Sequence, residues 1–257
     1  MLDLFWLQVG LSFLVGGIYI AASIRAAEKF GTRWGGLLLG LPSTTLVSLY
    51  FIGWTQGTDA VAQATSLMPL SVAILGVFQL IFFLIQDKGL LKALLAATIG
   101  WLAFTVPLAV YKVQDIFITL AIGLVVYVAI ANYFNKVPSR TSTAQRFSKT
   151  EFAVRAVICG TLIAATVALS KTAGPLWGGV LASFPIAFSS TVLLVSAKHG
   201  QGFTSSVVKA MQLISGTIIA FVTVLHFTVL PLGLIFGFLA SYAAAVSVGI
   251  LLTTKTQ

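Results

Sequence analysis

Two short hydroxyl runs interrupt otherwise apolar stretches of this chain: Ser43, Thr44, Thr45 and Ser48, then Ser189, Ser190 and Thr191. Each run follows a proline, Pro42 or Pro185, and each proline follows a glycine pair, Gly35–Gly36 or Gly178–Gly179. Hydroxyls, together with the backbone groups that a proline leaves unpaired, can hold a solute or an ion by hydrogen bonds. They offer no acid–base or nucleophilic chemistry unless a reactive partner is nearby.

Such partners are missing from the sequence. The acids are Asp3, Glu28, Asp59, Asp87, Asp115 and Glu151, and all fall between apolar runs or at their ends. None is positioned to carry a proton through an apolar layer. The apolar runs contain no Asp pair, HExxH or Ser–Lys/His constellation, and there is no P-loop, so neither an enzyme nor an ATPase is expected. Cys159 is the single cysteine, which excludes an intramolecular disulfide and a multi-cysteine metal site. No catalytic residue, cofactor or metal is expected.

The elements that must position the hydroxyls are membrane helices. Hydrophobic residues make up 58% of the chain and charged residues 8%, with a mean hydropathy of +1.04. A soluble domain carries roughly 25% charged residues. Crossing about 30 Å of hydrocarbon takes about 20 apolar residues at 1.5 Å each. Nine segments meet that length: Leu4–Ile24, Trp34–Ile52, Leu67–Ile85, Leu90–Val110, Ile116–Phe134, Val154–Leu169, Leu176–Val195, Val207–Leu225 and Leu230–Leu252. They are apolar throughout rather than alternating, which predicts an all-α polytopic membrane protein and not a β-barrel.

The basic residues orient it. With nine alternating crossings, thirteen of the fifteen, Arg155 among them, fall on one side, and only Lys112 and Lys171 fall on the other. Positive residues stay in cytoplasmic loops, so the N-terminus is expected outside and the C-terminus inside. The N-terminal run Met-Leu-Asp-Leu-Phe-Trp has no lysine or arginine and reads as the start of a retained first helix. The net charge of +9 is therefore topological, with the lipid bilayer as partner and no nucleic acid.

The hydroxyl runs belong to a repeat. Gly31–Pro42 reads GTRWGGLLLGLP and Gly174–Pro185 reads GPLWGGVLASFP, with six of twelve positions identical at an offset of 143 residues. The same offset maps helices one to four onto helices six to nine. An odd number of crossings separates the copies, which predicts an inverted 4+1+4 repeat. The first copy is 1–111, the linker helix with its polar loop 112–151, and the second copy 152–257. Pro42 and Pro185 lie about 12 and 13 Å into the membrane from opposite faces, where interrupted helices mark transport sites.

Each feature also has a plainer role. Gly36-x-x-x-Gly40 and Gly179-x-x-x-Ser183 are small-xxx-small packing patterns, and the glycines alone favour packing. Trp34 and Trp177 suit interfacial anchoring, as does His226; His199 falls in a loop. Gln79 and Gln212 favour interhelical hydrogen bonding over lining a pathway. What points to function is the combination of glycines, proline, hydroxyls and midplane depth, repeated in inverted halves.

The run Gly36–Leu41, Pro42 and a hydroxyl-rich helix ending near Gly57 resembles the small GlpM-type inner-membrane proteins. The resemblance implies about four helices per unit, with each half of this chain corresponding to one unit, and a bacterial inner-membrane location. The expected function is secondary transport or export of a small solute by alternating access. The expected solute-binding residues are Gly35, Gly36, Pro42, Ser43, Thr45, Ser48, Gly178, Gly179, Pro185, Ser189, Ser190 and Thr191. Half-helix N-termini at the breaks favour an anionic or zwitterionic solute, although hydroxyls and freed carbonyls equally suit Na⁺. A channel or lipid scramblase and a non-transporting scaffold or accessory subunit are the alternatives, and a homo-oligomer is compatible with each.

Overall fold

The computed structural model describes residues 2–29, 41–138, 148–199 and 201–254, and every regular element among them is helical. In chain order these are α1 (Leu2–Lys29), α2 (Ser43–Gln56), α3 (Thr58–Ser66), α4 (Met68–Ile85) with a short 3₁₀ turn, α5 (Leu90–Val110), α6 (Ile116–Asn135), α7 (Lys149–Ala173), α8 (Pro175–Ala182), α9 (Ile186–His199), α10 (Gln201–Ile214) and α11 (Gly216–Thr254). Their ends have local causes. Gly57, Gly89 and Gly174 take positive φ, where a side chain would be strained, and each separates two helices. Asp115 accepts from the Phe117 and Ile118 amides to start α6. Ser148 and Glu151 form a capping box that starts α7.

The 39-residue element α11 is two antiparallel helical limbs. Pro231 removes an amide, and Gly233 adopts φ 73°, ψ 179°, a conformation open to glycine alone. Beyond the turn the chain runs back on itself, so that Thr228 donates to the Gly237 carbonyl at 3.3 Å. A Cβ on Gly216 would lie 3.4 Å from the Leu252 side chain; in a straight helix those residues would be about 54 Å apart.

Seven segments are long and apolar enough to cross a membrane: Leu4–Ser23, Met68–Lys88, Leu90–Val110, Ile116–Asn135, Lys149–Ala173, Pro175–Leu193 and Thr204–Thr253. This is a multi-pass helical membrane protein by length and composition. Two differences separate the seven from the nine expected. Trp34–Ile52 lies partly outside the described residues, with its described helix starting only at Ser43. The last two expected spans fall within Thr204–Thr253, which is folded back at Gly233. The expected continuous span Leu176–Val195 is broken between α8 and α9. Large apolar side chains of α5, α6 and the second limb of α11 point outward, among them Leu91, Ile99, Phe117, Val125, Ile235 and Phe236. In water this would be an adhesive surface, whereas lipid solvates it.

Glycines set the closest crossings. α1 and α7 run antiparallel, and a Cβ on Gly17 would stand 3.0 Å from the Ala156 carbonyl oxygen, and one on Gly160 2.7 Å from that of Phe13. Gly123 of α6 lies against the Pro69 carbonyl, and Gly179 of α8 lies directly on the Ala64 carbonyl of α3. Backbone cannot yield as a flexible side chain can. Gly179→Ala is expected to cost about 1–3 kcal/mol by overpacking, read as a lower thermal midpoint in detergent. Gly10→Ala, whose Cβ would meet nothing within 4 Å, is expected to leave the midpoint unchanged or raise it.

Candidate functional site

The two proline breaks meet. α2 begins after Leu41–Pro42, and α9 begins after the turn Ser183–Pro185. Both breaks line one cavity of about 80 Å³. Pro42, Ser43, Thr44 and Thr45 face it from the first break; Ser183, Phe184, Pro185 and Ala187 face it from the second. α4 adds Val72, Leu75 and Gln79, and Met211, Ile214 and Ser215 close the wall around the end of α10. Among the described residues the lining has no charged side chain.

A cross-link joins the breaks. Thr45 Oγ1, buried in the first turn of α2, donates to the Ala182 carbonyl at the end of α8, 3.2 Å away. Ser183 donates to the Val180 carbonyl at 2.7 Å, and Ser215 to the Gln212 carbonyl at 2.7 Å. With their protons directed to backbone, these three hydroxyls have only lone pairs left to offer. Positive character comes from the helix starts. A helix leaves its first amides without intrahelical acceptors, and α2 has no side-chain cap to take them. Thr44 and Thr45, and likewise Ala187 and Phe188, bring such first-turn positions to the cavity wall. The cavity thus holds donor-rich helix ends beside hydroxyl and carbonyl acceptors.

Gln79 is 1% exposed, and its Oε1 has no hydrogen-bond partner. Gln212 on α10 is fully buried, its Oε1 and Nε2 both without partners, and it stands over Gly76, one turn before Gln79 on α4.

The residues singled out from sequence divide into five groups. Pro42, Ser43, Thr45 and Pro185 line the cavity. Ser48, one turn beyond Thr45, is buried with no partner for its hydroxyl and lies outside the lining. Gly178 and Gly179 lie in helix contacts, Gly178 against Ser170 and Gly179 against Ala64. Ser189, Ser190 and Thr191 turn back on their own helix, donating to the carbonyls of Pro185, Ala187 and Ala187. Gly35 and Gly36 lie outside the described residues. His226 approaches Thr65 Oγ1 at 3.1 Å and the Ala62 carbonyl at 3.0 Å, tying α11 to α3.

Two residues gain weight from the structure. Gln79, expected as interhelical glue, belongs to the cavity wall. Arg155, counted with the basic residues of the cytoplasmic side, is 5% exposed and donates through Nη2 to Thr191 Oγ1 at 2.8 Å. The signal for Arg155 was the Ser148-x-x-Glu151 box, which starts α7 earlier than Val154 and carries Arg155 into its second turn. Neither a family model, a curated protein nor a solved structure matches the chain.

The Arg155–Thr191 bond fastens α9 to α7. Thr191→Val is expected to cost about 1.5–3 kcal/mol, the range for a hydrogen bond to a charged group, with Thr191→Ser close to wild type. Thermal midpoints in detergent check both.

Proposed function

We propose that this chain is a secondary transporter or exporter of a small solute, holding it in the cavity between the breaks at Pro42 and Pro185. One observation carries the reading: two helix starts far apart in sequence, at Ser43 and Ile186, contribute their N-terminal ends to the same cavity. Irregular backbone within a membrane is tolerated where it is buried or lines a polar cavity, and carriers use such half-helix ends to bind their solutes. The converging positive ends favour an anionic or zwitterionic solute. No reactive constellation argues for an enzyme.

Alternation is supplied by two inverted copies, 1–111 and 152–257, joined by helix α6 and the loop after it. Element boundaries support this. α2 and α9 start 143 residues apart (Ser43, Ile186) and end 143 apart (Gln56, His199), and α3 and α10 also start 143 apart (Thr58, Gln201). The α1–α7 crossing supports it more directly. Gly17 and Gly160 are 143 apart, as are Phe13 and Ala156, and each glycine meets the other pair's carbonyl. Equal contacts exchanged between antiparallel helices are what a two-fold axis in the membrane plane produces. The lysine and arginine distribution supports an outside N-terminus and a cytoplasmic C-terminus, and the GlpM-type resemblance supports a bacterial inner-membrane location.

Sided thiol labelling tests the carrier. In protein with Cys159 replaced, single cysteines at Ser43 and Ala187 are expected to react with an impermeant reagent from both faces in alternation, and to be protected when solute is present. In proteoliposomes the flux should saturate and show counterflow. Unsaturable flux would instead identify a pore or scramblase, and no labelling from either face would identify the breaks as packing.

A further inference from the structure

A second concave feature of the fold lies on its outer surface and shares no lining residue with the solute cavity. It is an open groove lined by Ile18, Ala21, Ala22 and Arg25 of α1 and by Lys149 and Phe152 of α7.

Its position follows from the helices. α1 ends where the antiparallel α7 begins, and the apolar span of α1 stops at Ser23 while that of α7 starts at Lys149. Arg25 and Lys149 therefore stand together at one edge of the apolar layer, the level at which a phospholipid carries its headgroup. The lipid-facing stripe of α1 runs through Leu7, Leu14 and Ile18, each more than half exposed. One turn beyond Ile18 that stripe continues as Ala22 and then Arg25. The first is small enough to leave a recess beside α7, and the second is cationic.

The charge of the groove is one-sided. Among the described residues its lining holds two cations and no acid. Glu151, two residues beyond Lys149, is turned to the helix cap, where its Oε2 accepts from the Ser148 amide at 2.7 Å. The segments that border the groove in sequence, 25–33 and 140–155, carry seven basic residues against two acids. Arg25 is exposed, yet its Cζ lies 4.0 Å from the centroid of the buried Phe152 ring. A guanidinium ordered over a ring is pre-organised for bidentate binding of phosphate oxygens.

A basic patch alone attracts any anion, and an apolar stripe alone takes any lipid. The two joined at one membrane edge select a molecule with both properties. We infer that the groove binds one anionic phospholipid, its phosphate held by Arg25 and Lys149 and an acyl chain laid over Ala22 and along Ile18.

Native mass spectrometry of the full chain, released from detergent holding equal amounts of dioleoyl phosphatidylglycerol and dioleoyl phosphatidylcholine, reads which lipid is retained. Wild type should retain phosphatidylglycerol over phosphatidylcholine by about tenfold or more, since each basic residue near a membrane surface contributes about fivefold. Arg25→Gln combined with Lys149→Gln should bring the two lipids within about twofold of each other. Lys88→Gln combined with Lys92→Gln removes the same charge from exposed positions outside the groove and should leave the ratio unchanged. Ala22→Phe should lose the retained lipid although both cations remain. If the Arg25 combination does not fold, Lys149→Gln alone keeps the Arg25–Phe152 contact and should lower the ratio about fivefold.

Equal retention of the two lipids by wild type, or equal losses from the groove pair and the Lys88 pair, would overturn the site and leave a general surface charge. Retention indifferent to Ala22→Phe, or displacement by soluble glycerol phosphate, would overturn the lipid in favour of phosphate alone. Flux enters none of these results, so failure of the carrier reading leaves the groove standing.

Discussion

A backbone amide or carbonyl left without a partner in hydrocarbon costs several kcal/mol, and the rest of this structure follows from how that demand is met. Along α5, α6 and most of α7 the helix itself meets it, and their outward faces need only be apolar. At Pro42 and Pro185 the helix cannot, because a proline has no amide to give and blocks the preceding turn. Both interruptions are therefore kept away from lipid, gathered against each other and against α4 and α10. Thr45 joins them by donating to Ala182, at the very end of α8. The cavity between them is the part of the protein where backbone polarity has been left available.

Holding two interruptions together requires close helix approach, and glycine provides it. With lipid no worse a solvent than another side chain, helices associate through van der Waals contact and hydrogen bonds, which favours small residues at crossings. Gly17 with Gly160, Gly123 against Pro69, and Gly179 against Ala64 bring backbone onto backbone. These contacts form the rigid frame around the breaks. Buried polar side chains take a different part. Most hydroxyls bond back to their own helix, as Ser189, Ser190 and Thr191 do. Those that reach across elements include Thr45, Thr119 to the Ser66 carbonyl, Tyr127 to the Leu213 carbonyl, Arg155 to Thr191, Ser170 to Gln56, Gln86 to Ser205 and Thr65 with His226.

The site was legible where backbone chemistry was written into residue type. Pro42 and Pro185, each close behind a glycine pair, favoured helix starts, and Ser43 and Thr45, following at once, lie in the first turn of α2. The glycine pair was less legible, because the lack of a Cβ serves close packing and ligand approach alike. In Gly178 and Gly179 the neighbours are Ser170 and Ala64, which spacing along one chain does not specify. Ser189, Ser190 and Thr191 were hydroxyls in the right segment but on the wrong side of the helix or bonded to it. Gln79 carried no local signal beyond being an amide in an apolar run, and whether such an amide meets a helix or a cavity depends on elements remote in sequence.

By itself, then, the sequence determined the solvent, the element type, the places where helices must break and the pairing of two segments 143 residues apart, since hydropathy, proline geometry and identity of residues are local properties. It expected a reversal between Leu225 and Leu230, a few residues before the turn at Gly233. Only the tertiary structure decided that the residues around Pro42 and Pro185 share one cavity, that Arg155 is buried against Thr191 and that Gln79 belongs to the cavity wall. Those outcomes depend on which faces meet when helices distant in the chain pack at close range, and packing energy is a property of pairs of surfaces rather than of any one segment.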